Sequence, residues 1–217
     1  MVRAKTVAKN YPTMLVLAAA NAAYRKNQGY VKPGYELAGT TETPRKSNRE
    51  LVYYYLDNTS ELIEEDHEVA TKIKAWYQGK TFKILSGSYV SDFDHNVLKM
   101  LEQEETPEGY NLAVLASTPG SYFTGIQRDV GESRVKFAQG GYLGTVGDKV
   151  ETKCEVMKCI YSQKWGVFFV TAITDNDQAI FFSYKEEISY GKCLTIKGNV
   201  KRQDNNTTQL NRVKVIA

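Results

Sequence analysis

The chain has 217 residues, of which 42% are hydrophobic and 24% are charged. These proportions are typical of a globular protein and exclude a disordered chain. The length suffices for one large domain or two small ones. A net charge of +3 does not by itself indicate a partner. The longest apolar run, Met14–Ala20, is far shorter than the roughly 20 residues of a membrane-spanning helix, so no membrane association is expected.

The first 130 residues are predicted to form a mainly helical domain. Pro12–Lys26 has a first-turn proline and predicts the first helix. Residues 30–46 contain two proline-flanked turns and predict a basic, mobile loop. Ser47–Glu50 has the pattern of a capping box that opens the next helix. Asp66 is expected to cap a third helix, and Gly79 to end it.

The remainder of this domain is expected to alternate helix and turn. Phe82–Leu85 is predicted to be a short apolar connector, and Ser91–Glu104 a helix capped by Ser91. Asn111–Ser117 is apolar and of undecided type. Thr118–Ser121 contains proline and glycine and predicts a break. Residues 131–147 end in a glycine-rich stretch and predict a linker. Neither a P-loop nor a dinucleotide-binding context surrounds these glycines.

Residues 148–217 are predicted to form a five-stranded barrel. Five β-branched and aromatic runs are separated by short polar turns. These runs are Lys149–Tyr161, Trp165–Thr174, Gln178–Tyr184, Lys192–Lys201 and Gln209–Ile216. Five strands in about seventy residues match the size of an OB-type barrel. The predicted fold class is therefore α+β, with a helical N-terminal domain followed by an OB-like barrel.

Charge is distributed unevenly along the chain. Residues 1–49 have nine basic and two acidic side chains, a net charge of +7. Residues 50–147 have a net charge of −7, and residues 148–217 a net charge of +3. The basic segments favour a polyanionic partner, whereas the acidic middle favours docking on a protein.

Residues that could carry enzyme chemistry are sparse. The cysteines, Cys154, Cys159 and Cys193, form no Cys-x-x-Cys pattern, and His67 and His95 lie in acidic helical sequence far from them. We therefore expect no metal, no cofactor, no catalytic residue and a reducing, cytoplasmic setting. The acidic run Glu61–Glu68 could hold a metal, but it is also typical of a solvated helix start.

The barrel carries the candidate site. Its second and third strands are apolar on both faces, so one face needs a cover, which bases, the helical domain or a partner could supply. Aromatic rings in a basic groove bind single strands. We expect single-stranded DNA near the first hairpin and the exit of the third strand, with basic side chains on phosphates. The candidate residues are Lys153, Tyr161, Lys164, Trp165, Tyr184, Lys185, Lys197, Lys201, Arg202, Arg212 and Lys214. Alternatively, Trp165 is a core residue.

Four segments of this region resemble a known module. They are Gly144–Val150, Val156–Ile160, Trp165–Val170 and Gly191–Lys201. Together they resemble the OB-type module of phage-encoded replication and recombination proteins, some of which join a helical front to such a module. The resemblance implies a viral protein that acts on single-stranded DNA during replication or recombination. Because residues with enzyme chemistry are sparse, we expect a non-catalytic DNA-binding protein in the host cytoplasm, with replication or recombination proteins as further partners. The alternative is an interaction or inhibitor module whose acidic helical region docks on a nuclease, polymerase or host factor.

Overall fold

The computed structural model describes residues 9–34 and 45–216, which divide into two compact units. The helical unit ends at Phe123 and the barrel unit begins at Thr124. The middle of the predicted mobile loop, residues 35–44, lies outside the described residues. The helical front and the OB-like barrel confirm the α+β fold class.

The helical unit is built around its first helix. Its helices are α1 (Thr13–Asn27), α2 (Asn48–Asp57), α3 (Glu64–Leu85), α4 (Asp92–Leu101), α5 (Tyr110–Leu115) and the start of α6 (Thr118–Lys136). A 3-10 turn, Thr59–Glu61, precedes α3, and the short strands β1 (Asn10–Pro12) and β2 (Glu105–Pro107) pair antiparallel. The alanines of α1 are fully buried, which allows α2 and α3 to approach its backbone closely.

The predicted capping box at Ser47 is confirmed. The Ser47 hydroxyl accepts from the Glu50 amide at 3.3 Å, and the Glu50 carboxylate accepts from the Ser47 amide at 2.7 Å. Hydrogen bonds from Ser47 lower the pKa of Glu50. The predicted cap at Ser91 is confirmed as well, since its hydroxyl accepts from the Asp94 amide.

Asp66 has a different role from the one predicted. Ile63 is the N-cap of α3, and the buried Asp66 accepts from its amide. Asp66 also accepts from the Asn21 side chain at 2.9 Å and pairs with Arg25 at 2.8 Å. This pair raises the pKa of Arg25 through its hydrogen bond to Asp66. A buried carboxylate requires such partners, and here they join α3 to α1.

Three predicted breaks are wrong. Gly79 does not end α3, which continues through the expected connector to Leu85. Thr118–Ser121 is the first turn of α6, where proline costs nothing because its missing amide has no intrahelical partner. The predicted linker is helical up to Lys136.

The barrel unit contains five strands in one closed sheet. They are β3 (Lys149–Ser162), β4 (Val167–Thr174), β5 (Ala179–Tyr184), β6 (Cys193–Asp204) and β7 (Thr207–Val215). Their order is β3-β4-β5-β7-β6, with only β5 and β7 parallel. The inward side chains, among them Val156, Val170, Phe182, Ile196 and Leu210, form the core. This closed five-stranded arrangement is OB-like.

A bulge in β3 creates a second, smaller core outside the barrel. The pairing of β3 with β4 shifts between Val156 and Lys158. Met157 is 1% exposed there and packs with Ile173, Ala179 and Ala138. Two ion pairs, Glu132 with Lys158 and Arg134 with Glu155, attach the end of α6 to the same strand. The C-terminal turns of α6 therefore belong to the barrel.

The glycine-rich stretch lies against the barrel as a strap, which we define as residues 138–148. Gln139 and Gly140 donate their amides to Asp177 in the β4–β5 turn, both at 2.8 Å. Leu143 donates to the Thr208 hydroxyl at 2.9 Å. A Cβ on Gly140 would lie 2.0 Å from the Asn176 carbonyl oxygen. Glycine is thus required by close backbone approach.

Among the described helices, none combines the length and the apolar composition that crossing a membrane requires.

Candidate nucleic-acid interface

The barrel has two different ends. The strap runs along the end that contains the β4–β5 and β6–β7 turns, which we call the strapped end. The β3–β4 turn, Gln163–Gly166, and the last residues of β5 and β7 lie at the other end, which we call the open end. All three aromatic residues predicted to bind bases, Tyr161, Trp165 and Tyr184, lie there.

Three aromatic rings form a row across the open end. Tyr161, Phe168 and Tyr184 are consecutive Cα partners in β3, β4 and β5, and directly opposite residues share one face of a sheet. The Tyr161 and Phe168 ring centroids are 5.0 Å apart. Tyr161 is 53% exposed, while Phe168 and Tyr184 are half-buried. The three residues therefore lie side by side on one face of the sheet, and the Tyr161 ring is the most exposed of them.

Trp165 adds a fourth ring from the β3–β4 turn. The backbone amides of Trp165 and Gly166 donate hydrogen bonds to the Ser162 carbonyl and close the turn, in which Gly166 has a φ of 62°. The Trp165 side chain is 65% exposed, so the alternative that it is a core residue is wrong. The Lys164 ammonium lies 5.3 Å from the Trp165 ring centroid, a favourable cation–π distance.

An open groove separates the ends of β5 and β7. The parallel pairing of these strands stops at Phe181 and Gln209. Beyond it lies a groove of about 510 Å³. Val167, Ser183, Tyr184 and Lys185 line one side, and Arg212–Val215 line the other. Four predicted residues, Tyr184, Lys185, Arg212 and Lys214, therefore meet in one place.

A second bulge shapes the β7 side of this groove. Between Lys197 and Asn199 of β6 the partner strand advances by one extra residue, from Lys214 to Asn211. Arg212 lies in the bulge with a φ of 53°, a left-handed conformation that costs a non-glycine residue free energy. Gly198 lies opposite, and a Cβ there would be 3.1 Å from Val213 Cγ2.

The cations of the open end differ in how they are paired. Lys185 is paired with Glu186 at 3.1 Å, which raises the pKa of Lys185. Lys164, Arg212 and Lys214 form no ion pair with any described residue. These three side chains are exposed and can bind phosphate without first breaking a salt bridge.

The other predicted cations lie outside the groove. Lys153 is on β3, opposite Thr195, and Lys201 and Arg202 are on the part of β6 that leads to the strapped end. Lys197 is paired with Glu151 at 3.0 Å, and Arg202 is paired with Asp204. Only Lys197 adjoins the groove, because its Cα partner is Lys214.

Sequence reasoning missed several residues of the aromatic row and of the groove. Phe168, the central ring of the row, was not singled out, and neither were Val167, Ser183 and Val213. The alternation of Phe168 with Val170 indicated their shared face. Which ring faces the groove depends on register, which the sequence does not fix.

Metal ligands do not cluster in the part of the chain that the structure describes: no three His, Cys, Asp or Glu side chains lie together as a metal site would require. In the acidic run that begins at Glu61, Asp66 turns inward to Arg25. Cys154 is buried, and burial raises the pKa of its thiol to about 11.

No protein family model matches the chain, and no curated protein or solved structure is significantly similar to it.

Proposed function

We propose that the barrel unit binds single-stranded DNA at its open end, as a non-catalytic protein of phage DNA replication or recombination. The observation that carries the proposal is the meeting of the row Tyr161–Phe168–Tyr184 with a groove lined by Lys185, Arg212 and Lys214. Stacking contributes about 1–3 kcal/mol per base, and the cations add a salt-dependent attraction to phosphates. Two strands of this surface, β4 and β5, and the β3–β4 turn correspond to strands 2 and 3 and to the loop between strands 1 and 2 of an OB-type barrel, which take part in oligonucleotide binding.

A second candidate is docking on a protein such as a nuclease, polymerase or host factor. The observation that favours it is a group of exposed apolar side chains at the end of α3. Phe82 and Leu85 are each 77% exposed, and Tyr89 is 89% exposed. Large exposed apolar side chains that lie close in sequence are typical of interaction surfaces.

Fluorescence anisotropy with labelled oligo-dT, measured over a range of salt concentrations, tests the first proposal. Trp165→Ala is expected to weaken binding by about 1–3 kcal/mol and to leave the salt slope unchanged, because stacking releases no counterions. Lys214→Ala is expected to lower the slope by about 0.7, the value for one phosphate contact on a single strand. Quenching of Trp165 fluorescence is expected when DNA binds the parent chain or Lys214→Ala, and it is expected to be lost in Trp165→Ala.

Lys201→Ala is the matched control for Lys214→Ala. Both residues are exposed lysines without a carboxylate partner among the described residues, but Lys201 lies toward the strapped end. A slope lowered equally by both variants would mean that the strand continues across β6. Binding that depends on neither salt nor Trp165 would contradict the proposal.

A further inference from the structure

The helical unit contains a pocket that is separate from the barrel. It has a volume of about 610 Å³ and lies between the end of α1, residues 45 and 46, and one face of α2. Its lining includes Lys26, Arg45, Lys46, Tyr54 and Glu61. This volume falls within the range of small-molecule sites, about 300–1,000 Å³.

Three of the side chains that line this pocket are cationic. Lys26, Arg45 and Lys46 are all exposed, and none has an ion-pair partner among the described residues. The carboxylate that lines the pocket, Glu61, accepts a hydrogen bond from the Tyr54 hydroxyl instead. Three unpaired cations around one cavity favour a ligand with several negative charges.

The capping of α1 weakens the opposition of its C-terminus to an anion there. A helix C-terminus is partially negative when its last carbonyl groups are free. Gln28, at a φ of 53°, caps the helix, and its amide and that of Gly29 donate to the Arg25 and Tyr24 carbonyl groups. Two of the last carbonyl groups of the helix are thus occupied.

Buried side-chain amides fix the backbone at Lys46, one of the three cations of the pocket. The Asn27 side chain donates to the Lys46 carbonyl at 3.0 Å and to the Asn48 side chain at 2.8 Å. Asn48 is fully buried and also binds the Gly29 carbonyl and the Val31 amide. Buried polar networks of this kind specify one arrangement of the backbone. The position of Lys46 beside α1 is therefore fixed before any ligand binds.

An aromatic ring lies among the cations. Tyr54 is 38% exposed, and its ring packs edge-on against the buried Tyr55, with centroids 5.4 Å apart. The Lys46 ammonium lies 5.6 Å from the Tyr54 ring centroid. A flat ring beside cations provides a stacking surface and phosphate contacts within one cavity.

We propose that this pocket binds a nucleotide, with its phosphates on Lys26, Arg45 and Lys46 and its base against Tyr54. The ligand can be a free nucleotide or the phosphorylated end of a strand, since both present the same chemistry. The proposal concerns the helical unit alone and does not depend on DNA binding by the barrel.

The test is titration of the full chain with dATP, followed by amide chemical shifts and by calorimetry. Shifts are expected at Gln28, Lys46 and Tyr54. Lys46→Gln is expected to weaken dATP binding about tenfold, the loss expected for one charge-assisted contact. Tyr54→Leu is expected to weaken dATP binding about fivefold or more through lost stacking and to leave the affinity for inorganic phosphate unchanged. Tyr54→Phe keeps the ring and is expected to retain binding.

Lys72→Gln is the matched control, because Lys72 is an exposed lysine of the same unit that pairs with Glu68 outside the pocket. Equal weakening by Lys72→Gln, or an absence of shifts at the pocket, would overturn the proposal. So would a Tyr54→Leu variant that binds dATP as the parent does, since the pocket would then be a site for anions alone. The Trp165→Ala variant is expected to bind dATP normally, which separates this site from the barrel.

Oligo-dT with and without a 5′-phosphate distinguishes the two sources of the ligand. Pocket shifts that require the 5′-phosphate indicate a strand end, and shifts with dATP but with neither oligonucleotide indicate a free nucleotide. Either result supports the proposal, whereas pocket shifts with the unphosphorylated oligonucleotide and none with dATP would contradict it.

Discussion

Arg212 combines an unfavourable backbone with a favourable location. Its φ of 53° lies in a region that glycine adopts freely, yet the residue there is a cation on the wall of the groove. Strained residues persist where surrounding structure determines them, and they often occur at binding sites. The bulge places this side chain at the groove, and the left-handed backbone that it requires lowers the stability of the fold.

We predict that Arg212→Gly stabilises the fold and weakens DNA binding. Relief of the left-handed conformation should raise the free energy of unfolding by up to about 1 kcal/mol, while loss of the guanidinium should lower the salt slope by about 0.7. Urea denaturation and salt-dependent anisotropy measure the two effects. Arg212→Ala is the matched control, because it removes the charge but keeps the unfavourable φ. Equal stability of the Gly and Ala variants would show that the bulge carries no strain.

At the scale of elements, two helical glycines have opposite surroundings. Gly79 lies inside α3, and a Cβ there would have no atom within 4 Å. Gly131 lies in α6, and a Cβ there would be 2.6 Å from the Met157 carbonyl oxygen. The first glycine only weakens its helix, whereas the second allows α6 to approach β3.

We predict that Gly79→Ala raises the free energy of unfolding by about 1 kcal/mol, the difference in helix propensity. Gly131→Ala should lower it by about 1–3 kcal/mol, because the helix must move away from a backbone oxygen. Chemical denaturation followed by circular dichroism measures both variants, and each is the other's control. A stabilised Gly131→Ala variant would contradict the close packing of α6 on the barrel.

Local signals in the sequence located most elements, and non-local contacts account for the errors. Alternation predicted the five strands, and Ser47 and Ser91 predicted helix starts, because these signals arise between neighbours in the chain. Gly79 was misread as a helix end, because a single glycine weakens a helix without ending it; α3 continues past it, and Lys80, the next residue, pairs with Asp94 of α4.

The candidate site was only partly predictable for the same reason. The turn at Trp165 is a local feature, so its exposure could be anticipated. The groove depends on where the pairing of β5 with β7 stops, and Arg212 faces it because of a bulge. Neither feature has a local sequence signal. Lys197 and Arg202 have the right charge, but cross-strand and neighbouring carboxylates pair with them.

At the scale of the whole molecule, the barrel begins earlier in the chain than its strands do. Met157, Ile173 and Ala179 are covered by Ala138 and Val135, and the strap donates hydrogen bonds to Asp177 in the β4–β5 turn and to Thr208 in β7. Residues 148–217, which the sequence indicated as the barrel, therefore do not include all the side chains that pack on the barrel.

We predict that a fragment of residues 124–217 unfolds in one cooperative thermal transition. A fragment of residues 148–217 should be less stable by about 3–6 kcal/mol, the value of leaving Met157 and Ile173 without cover. Differential scanning calorimetry compares the two, with the full chain as reference. Equal melting temperatures would mean that α6 and the strap contribute nothing to the barrel.

The short parallel pairing of β5 and β7 has a mechanical consequence. It joins only three residue pairs, whereas each of the other four ladders joins six or more. This pairing closes the barrel, and the groove is the part of the β5–β7 boundary that has no backbone pairing. The groove can widen or narrow while the four longer ladders remain intact. A DNA strand bound between Lys185 and Lys214 would connect β5 and β7 beyond their last backbone hydrogen bond. Bound DNA would therefore stabilise the barrel against opening at this boundary.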